Sequence, residues 1–365
     1  MRIVVKLGTS TLTNGTPRLS PPLMIDLARQ VARLQASGHQ IILVSSGAIA
    51  AGREKLNFPQ LPKEMPAKQM LAAIGQPRLM AFYEQIFGLY GLTVAQILLT
   101  RSDLSHRRRY LNARNTLTAL LTQNVIPIIN ENDTVATEEI RVGDNDNLSA
   151  LAANLIDADL LVLLTDQDGL FTADPRSNPG AELVQTVNGD SIPETVWQAA
   201  GGTRSGLGTG GMLTKLQAAD LARRSGTACI IANGKEPDVL LRLANGERIG
   251  TRFEPVTDAV EARKRYILSA RRAPGLLNVD DGAAQALRRG GSLLAVGLEA
   301  VTGVFRRGDV VRVTGKDGRE LARGISNYDS RDLARILRRR SDEIESILGY
   351  HFGDEVIHRN DLVLL

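Results

Sequence analysis

Arg2-Ile3-Val4-Val5-Lys6-Leu7-Gly8-Thr9-Ser10 opens the chain with an apolar run that breaks abruptly into small and polar residues. Ile3–Leu7 reads as a strand buried on both faces, because aliphatic and β-branched residues continue through it without polar alternation. Working outward, comparable runs recur at Ile41–Val44, Val94–Leu99, Val125–Ile129, Leu160–Leu164 and Ala228–Ile231. Helical periodicities fall between most of them, at Pro22–Ala36, Lys68–Tyr90, Leu111–Gln123, Asn147–Ile156 and Met212–Arg224. Strands of this kind alternating with amphipathic helices predict an α/β fold with a mostly parallel sheet covered on both faces. Ligands of such sheets bind beyond the carboxyl ends of the strands. The residues that follow each strand therefore carry the functional argument.

Those residues are consistently small, polar or charged. Lys6-Leu7-Gly8-Thr9-Ser10 follows the first strand and Ser45-Ser46-Gly47-Ala48 the second. Asn130-Glu131-Asn132-Asp133 follows the fourth, with Gly143-Asp144-Asn145-Asp146-Asn147 soon after it. Thr165-Asp166 follows the fifth. Before the last helical pattern stands Gly206-Leu207-Gly208-Thr209-Gly210-Gly211-Met212-Leu213-Thr214-Lys215. Glycines at this density offer bare N–H groups, and the helix start behind them adds unpaired donors and partial positive charge. Lys215 contributes a full charge in the first turn. The reading is a phosphate cradle, and with it a nucleotide site.

The cradle is of an unusual type. A Walker A loop requires Gly-Lys-[Ser/Thr] in succession, whereas Lys215 stands four places after Gly211. The dinucleotide fingerprint fails as well, since no strand-like run directly precedes Gly206 and no acidic partner follows at its spacing. Asp144-Asn145-Asp146 could be a helix cap; the glycine and glutamate that would complete a calcium loop are missing. His106-Arg107-Arg108-Arg109 reads as a solvated face or an oligomer contact, and Met65, Met70 and Met80 as core.

Composition narrows the class. The chain has 365 residues, 43% hydrophobic and 23% charged, with a net charge of +4. That is ordinary for a soluble protein of two domains. No apolar run reaches the roughly 18 residues of a membrane span. The opening strand leads to the expectation of no signal peptide, and the single Cys229, in an apolar run, excludes intrachain disulfides. A core thiol and a cytoplasmic location are the default expectations.

Together, Val5–Ser10, Ser45–Gly52, Asn130–Asp133, Gly143–Ser149, Thr165-Asp166 and Gly208–Met212 with Lys215 resemble the amino acid kinase family, and the resemblance runs along essentially the whole chain. It implies a three-layer αβα sandwich around the mostly parallel sheet. Within the family it points to members that use ATP to phosphorylate the γ-carboxylate of L-glutamate, the first step of proline biosynthesis. It implies Lys6, Lys215 and Asp146 as catalytic residues, with Asp146 orienting both lysines. It implies Ser46, Gly47, Asn130, Asp133, Asp144 and Asn145 around the amino acid: Ser46 and Gly47 at the reacting carboxylate, Asp133 and Asn130 at the α-amino group, Asn145 at the α-carboxylate. Lys6, Thr165, Asp166, Thr209, Gly210, Gly211, Met212, Leu213, Thr214 and Lys215 fall to ATP. Mg²⁺ is expected through the ATP phosphates without a dedicated protein site, proline as a feedback inhibitor, a glutamyl phosphate reductase as a hand-over partner, and a homo-oligomer. Rivals are sibling kinases acting on aspartate, N-acetylglutamate or a nucleotide, and an RNA-binding protein whose kinase-like part is secondary.

The last third has another texture. Residues 1–255 form the expected catalytic domain and 256–272 a linker. Residues 273–365 resemble a PUA domain, a small, mostly β module, carried by Gly275–Ala283 and Gly308–Val313. From residue 256 onward there are 19 Lys and Arg against 16 Asp and Glu. An excess of three is small for a nucleic-acid reader, and aromatic platforms are scarce at 4% of the chain. A structural or regulatory role is expected over RNA binding, with Arg338-Arg339-Arg340 an exposed helix end.

Overall fold

The structure, a computed structural model, describes residues 1–61, 64–136, 144–175, 177–201, 211–256, 267–268 and 273–365, with the side chain of Asp144 outside the description. The chain forms two compact units. One comprises Met1–Leu104 and Thr116–Asp258, the other Ser105–Asn115 and Ala259–Leu365.

The first unit is built on an eight-stranded sheet. In chain order its elements are β1 (Arg2–Leu7), α1 (Thr9–Thr13), α2 (Pro21–Ala36), β2 (Gln40–Ser45), α3 (Ala48–Lys55), α4 (Met65–Gly88), β3 (Val94–Leu99), α5 (Arg101–Ser105), the last turns of α6 (Arg107–Thr122), whose residues up to Asn115 belong to the second unit, β4 (Ile126–Glu131), α7 (Asp144–Leu155), β5 (Leu160–Thr165), β6 (Thr186–Val187), α8 (Glu194–Ala199), α9 (Met212–Arg224), β7 (Ala228–Asn233), α10 (Val239–Ala244) and β8 (Thr251–Phe253). The strand order is β3-β4-β2-β1-β5-β7-β8-β6. All pairs are parallel from β3 to β7, and β8 joins β7 antiparallel. Every strand expected from the sequence for this unit is present: β3 has the expected bounds, β4 begins one residue later and ends two later, and the others are a residue or two longer. The register aligns Lys6 with Val44 on one side and Leu163 on the other, and Leu7 with Ser45 and Leu164. The polar residues that end these strands thus arrive at one edge of the sheet.

Burial explains the apolar runs. Ile3, Val5, Leu43 and Val162 belong to a core shared with Leu27 and Val31 of α2 and Leu79 and Tyr83 of α4. Cys229 is fully buried in β7, as expected, and burial pushes its thiol well above the ordinary range. The methionine expectation is corrected at one position: Met70 is 41% exposed, because α4 turns that side of its first turns outward. Met80 packs against the core. Helices α3 and α4 meet backbone to backbone. A Cβ on Gly75 would lie 1.8 Å from the Ala48 carbonyl oxygen, and one on Gly52 would lie 2.0 Å from that of Leu71. Only glycine permits this approach, and the pairing of Gly75 with Ala48 and Leu71 with Gly52 makes the two helices antiparallel.

The second unit is mostly β. Its elements are β9 (Gly275–Val279), α11 (Asp281–Arg288), β10 (Leu293–Leu294), β11 (Leu298–Thr302), β12 (Val310–Thr314), β13 (Glu320–Ile325), α12 (Ser330–Arg335), α13 (Ile344–Leu348), β14 (Glu355–Ile357) and β15 (Leu362–Leu364). Five strands run in the order β11-β9-β12-β13-β15, and β10 pairs with β14. Leu277, Val311, Val313, Tyr328 and Val356 fill its core. The Arg114 guanidinium donates to both oxygens of the buried Asp361 carboxylate at 2.8 and 2.7 Å. Arg107 departs from the solvated-face expectation. Its stem lies against Gly308, and burial pulls its guanidinium below the ordinary value. Arg108 and Arg109 are exposed, as are Arg338, Arg339 and Arg340 just past the end of α12.

Candidate active site

At the carboxyl edge of the sheet the strand ends and the helices that follow them enclose a cavity of about 410 Å³. The β1 end and the start of α1 supply Lys6, Gly8, Thr9 and Ser10. The β2–α3 corner supplies Ser46, Gly47, Ala48 and Ile49. The β4 end supplies Asn130, Glu131 and Asp133, the first turn of α7 Asn145 and Asp146, and the start of α9 Gly211, Thr214 and Lys215. Lys68 of α4 and Leu164 of β5 complete the described lining. Helices α3, α7 and α9 all begin here, so their unpaired N–H groups and positive dipole ends face the same space.

Two glycines make the sharp corners possible. Gly47, at the start of α3, has φ +99°, and Gly211, at the start of α9, has φ +79°. Both angles are costly for any residue with a Cβ. Gly8 serves differently, since a Cβ there would lie 3.3 Å from the Lys6 ammonium.

The floor of the cavity holds an unbalanced charge. Asp146 is fully buried, and its Oδ1 lies 2.6 Å from Lys6 Nζ, outside hydrogen-bonding angles. Its Oδ2 accepts from Thr214 Oγ1 at 2.7 Å and from Lys215 Nζ at 3.4 Å. Burial works against the charged carboxylate, but the two ammoniums and the hydrogen bonds outweigh it and hold Asp146 below its ordinary value. Burial, reinforced by Lys215, lowers Lys6 against the pull of Asp146. Two cations thus share one anion, leaving a net positive charge where burial leaves little screening by water. That arrangement attracts a further anion. Asp146, committed to two ammoniums, is a poor metal ligand, and no three of the His, Cys, Asp and Glu side chains group around one point among the described residues.

A second, neutral network lies beside it. Asn145 Nδ2 donates to the Ser45 carbonyl at 3.3 Å, to Ser46 Oγ at 3.0 Å and to Asn130 Oδ1 at 3.1 Å. Asn130 Oδ1 also accepts from the Glu131 N–H, and Asn130 Nδ2 donates to Gln76 Oε1 of α4 at 2.7 Å. Two turns earlier on α4, Gln69 Nε2 donates to the Asp133 carbonyl at 3.1 Å. Helix α4 thus lies along the segment that follows β4, its N-terminal turns beside Asp133 and its middle beside Asn130. Behind Ser46, the buried Tyr83 hydroxyl shares a 2.8 Å hydrogen bond with Ser45 Oγ.

Most of the residues singled out in the sequence meet here: Lys6, Ser46, Gly47, Asn130, Asp133, Asn145, Asp146, Gly211, Thr214 and Lys215. Thr165 and Asp166 lie apart from the cavity lining at the end of β5, joined by a 3.1 Å hydrogen bond. Met212 also stands outside the lining, and the Leu213 side chain points into the core. Thr209, Gly210 and the Asp144 side chain lie outside the described residues. Sequence reasoning missed Lys68 and Glu131 as cavity residues. Glu131 stood inside a quoted motif, whereas nothing in the local sequence marks Lys68.

Comparison with known proteins supplies the lineage. Residues 1–233 match the amino acid kinase family and residues 275–348 the PUA domain. A glutamate 5-kinase of Photobacterium profundum is 57% identical over 364 residues, covering 100% of this chain and 96% of its own. One of Herpetosiphon aurantiacus is 55% identical over 364 residues, with 100% and 98% covered. Among solved structures, a UMP kinase from Bacillus anthracis superposes on 70% of this chain and 96% of its own, with a TM-score of 0.49 at 16% identity. Matched by the family over residues 1–233, and by relatives more than half identical from end to end, the chain belongs to the amino acid kinase family.

Proposed function

We propose that this chain is a glutamate 5-kinase, transferring the γ-phosphoryl group of ATP to the γ-carboxylate of L-glutamate in the first step of proline biosynthesis. Full-length relatives of that name support the substrate. The observation that carries the chemistry is the sharing of one buried carboxylate, Asp146, by Lys6 and Lys215. A glutamate carboxyl has a reference pKa of about 4.3 and is ionised at neutral pH, so the nucleophile needs no base. The barrier lies in bringing two anions together, which positioning and charge neutralisation must overcome. A γ-carboxylate oxygen forms the new bond to phosphorus, and the bond from phosphorus to the bridging oxygen breaks. The electron pair leaves on ADP, and no proton moves.

In this reading Lys6 and Lys215 hold the transferring phosphoryl oxygens, while Asp146 aims both ammoniums. Ser46 and the N–H groups at the start of α3 receive the γ-carboxylate, and Asp133 faces the α-ammonium. Asp144 would stand at the edge of the same pocket. ATP lies along the start of α9, from Thr209 and Gly210 through Lys215, and past Thr165 and Asp166. It enters with a divalent ion, Mg²⁺, carried on its phosphates, where the ion neutralises charge in concert with the lysines. The acyl phosphate product is hydrolytically labile, which favours direct consumption by a glutamyl phosphate reductase. Proline as inhibitor, a homo-oligomeric state and a cytoplasmic setting belong to the same reading. For the second unit we infer a structural or regulatory role over RNA binding, supported by the pairing of the exposed Arg338, Arg339 and Arg340 with acidic neighbours.

The test is hydroxylamine trapping of acyl phosphate formed from ATP and Mg²⁺ with glutamate, aspartate or N-acetylglutamate, with and without proline. Glutamate-specific trapping, lowered roughly 10²- to 10³-fold in Lys215→Ala, is expected. Trapping only with another acceptor would reject the substrate while leaving the phosphoryl chemistry in place.

A further inference from the structure

An α-amino acid that presents its γ-carboxylate to the lysine pair must place its α-carboxylate elsewhere in the cavity, and that second anion needs its own partner. Asn145, the residue assigned to it by resemblance, is already committed. Its Nδ2 has two hydrogens and three acceptors around it, the Ser45 carbonyl, Ser46 Oγ and Asn130 Oδ1. Its Oδ1 repels a carboxylate, which accepts hydrogen bonds and donates none. Asn130 Oδ1 likewise accepts twice, from Glu131 N–H and from Asn145. These amides orient Ser46 and leave the outer charge of the substrate unmatched.

The outer wall of the cavity is charged. Asp133 lines it, suited to the α-ammonium, and the described lining includes one cation besides Lys6 and Lys215, namely Lys68. Its position follows from α4. Gln76 reaches Asn130 near the floor, and Gln69 reaches the backbone of Asp133 two turns farther out. Lys68 adjoins Gln69 in the turn of α4 that reaches Asp133, and it lines the same cavity. We propose that Lys68 is the α-carboxylate recognition residue of the acceptor site, forming with Asp133 a paired receptor for the zwitterionic head of the amino acid. The assignment rests on the glutamate reading above.

The experiment compares L-glutamate with its α-amide, which keeps the α-ammonium and the γ-carboxylate but carries no charge at the α-carbonyl. Hydroxamate kinetics are measured for the wild-type chain, Lys68→Met, which keeps most of the apolar stem, and Lys68→Arg, which keeps the charge. The wild type is expected to prefer glutamate over the amide. In Lys68→Met the KM for glutamate should rise roughly 10- to 100-fold, the worth of one hydrogen bond to a charged group. The KM for ATP should stay within a factor of two or so by the same reasoning. The preference over the amide should collapse, and Lys68→Arg should recover part of it. A Lys68→Met protein that binds ATP normally and keeps both the wild-type KM for glutamate and the discrimination overturns the Lys68 assignment and leaves the glutamate reading intact. A wild-type chain that forms no hydroxamate from glutamate overturns that reading, and the assignment with it.

Discussion

Replacing Asp146 by Asn keeps the shape of the side chain and removes its charge, and the structure allows the consequence to be sized. The Asp146 side chain is 1% exposed, with Lys6 and Lys215 at 6% and 12%. At an effective dielectric of about 20, contacts of 2.6 and 3.4 Å correspond to roughly 6 and 5 kcal/mol of attraction. Desolvation of the carboxylate offsets much of this, so the net worth of the cluster is far smaller. What the variant loses is not a net gain but a compensating charge, and two buried ammoniums then face each other. Breaking a buried pair in this way costs about 3–5 kcal/mol, which urea titration reads as a fall in the midpoint at constant slope. With both cations misdirected, kcat/KM should fall roughly 10²- to 10³-fold. A further signature separates charge loss from simple damage. Inorganic phosphate should raise the melting temperature of Asp146→Asn more than that of the wild type, because a bound anion restores the missing charge. A variant within about 1 kcal/mol of wild-type stability, with no added response to phosphate, would refute the view that the lysines depend on this carboxylate.

Other expectations follow from packing and titration. Gly75→Ala puts a Cβ 1.8 Å from the Ala48 carbonyl oxygen and should destabilise by about 3 kcal/mol or more; Gly88→Ala, in the same helix with open space around it, should stabilise by about 0.5–1 kcal/mol. Equal thermal shifts in the two would contradict the backbone contact between α3 and α4. Lys6 has its proton affinity lowered by burial, so activity should decline on an alkaline limb below the ordinary lysine value of 10.5. Between the two values the unfolded chain binds more protons than the folded one, so the Lys6 contribution to stability rises with pH through that window. A pH–rate profile with parallel urea titrations should therefore show activity falling without a matching loss of fold. Asp361→Asn leaves the Arg114 guanidinium without its buried bidentate partner, and should cost about 3–5 kcal/mol in the stability of the second unit. Unaltered melting would make that pair dispensable.

The strands of the central sheet were legible because burial on both faces forces continuous apolar runs, as in Leu160–Thr165, buried at every position. The short strands β6 and β8 were not, since two and three residues make no pattern and their pairing depends on partners distant in the chain. Helix α3 escaped for another reason. Its Ala48, Ala51 and Gly52 show as a run of small residues, and only the approach of Gly75 explains why small size serves there. The site was legible where chemistry and backbone coincide: a lysine inside a buried strand, glycines at the strand-to-helix corners, an aspartate in the first turn of a helix. Lys68 carries no such mark. It reaches the cavity because α4 runs antiparallel to α3, and that direction is fixed by glycines at 52 and 75 rather than by anything adjacent to residue 68.

Pairing locates anion recognition better than net charge does. Residues 256 onward carry the larger basic excess, and taken alone it would draw attention to the arginine run at 338–340. Yet Arg338 stands 3.7 Å from Glu299, Arg339 3.6 Å from Glu343 and Arg340 3.3 Å from Asp342. All three are exposed, where water and salt screen charge within about 8–10 Å. In the cavity the numbers are smaller and their effect larger, because two lysines share one carboxylate that is almost wholly buried. A phosphate arriving there completes a half-compensated cluster, whereas one arriving at the arginine run must displace carboxylates that already serve. Phosphate-containing ligands should accordingly bind the cavity with an affinity that survives moderate salt. Any attraction to the second unit should fade steeply as salt is raised. If titration with ATP and with single-stranded RNA over the same salt range gave equal slopes, this division of labour would be wrong.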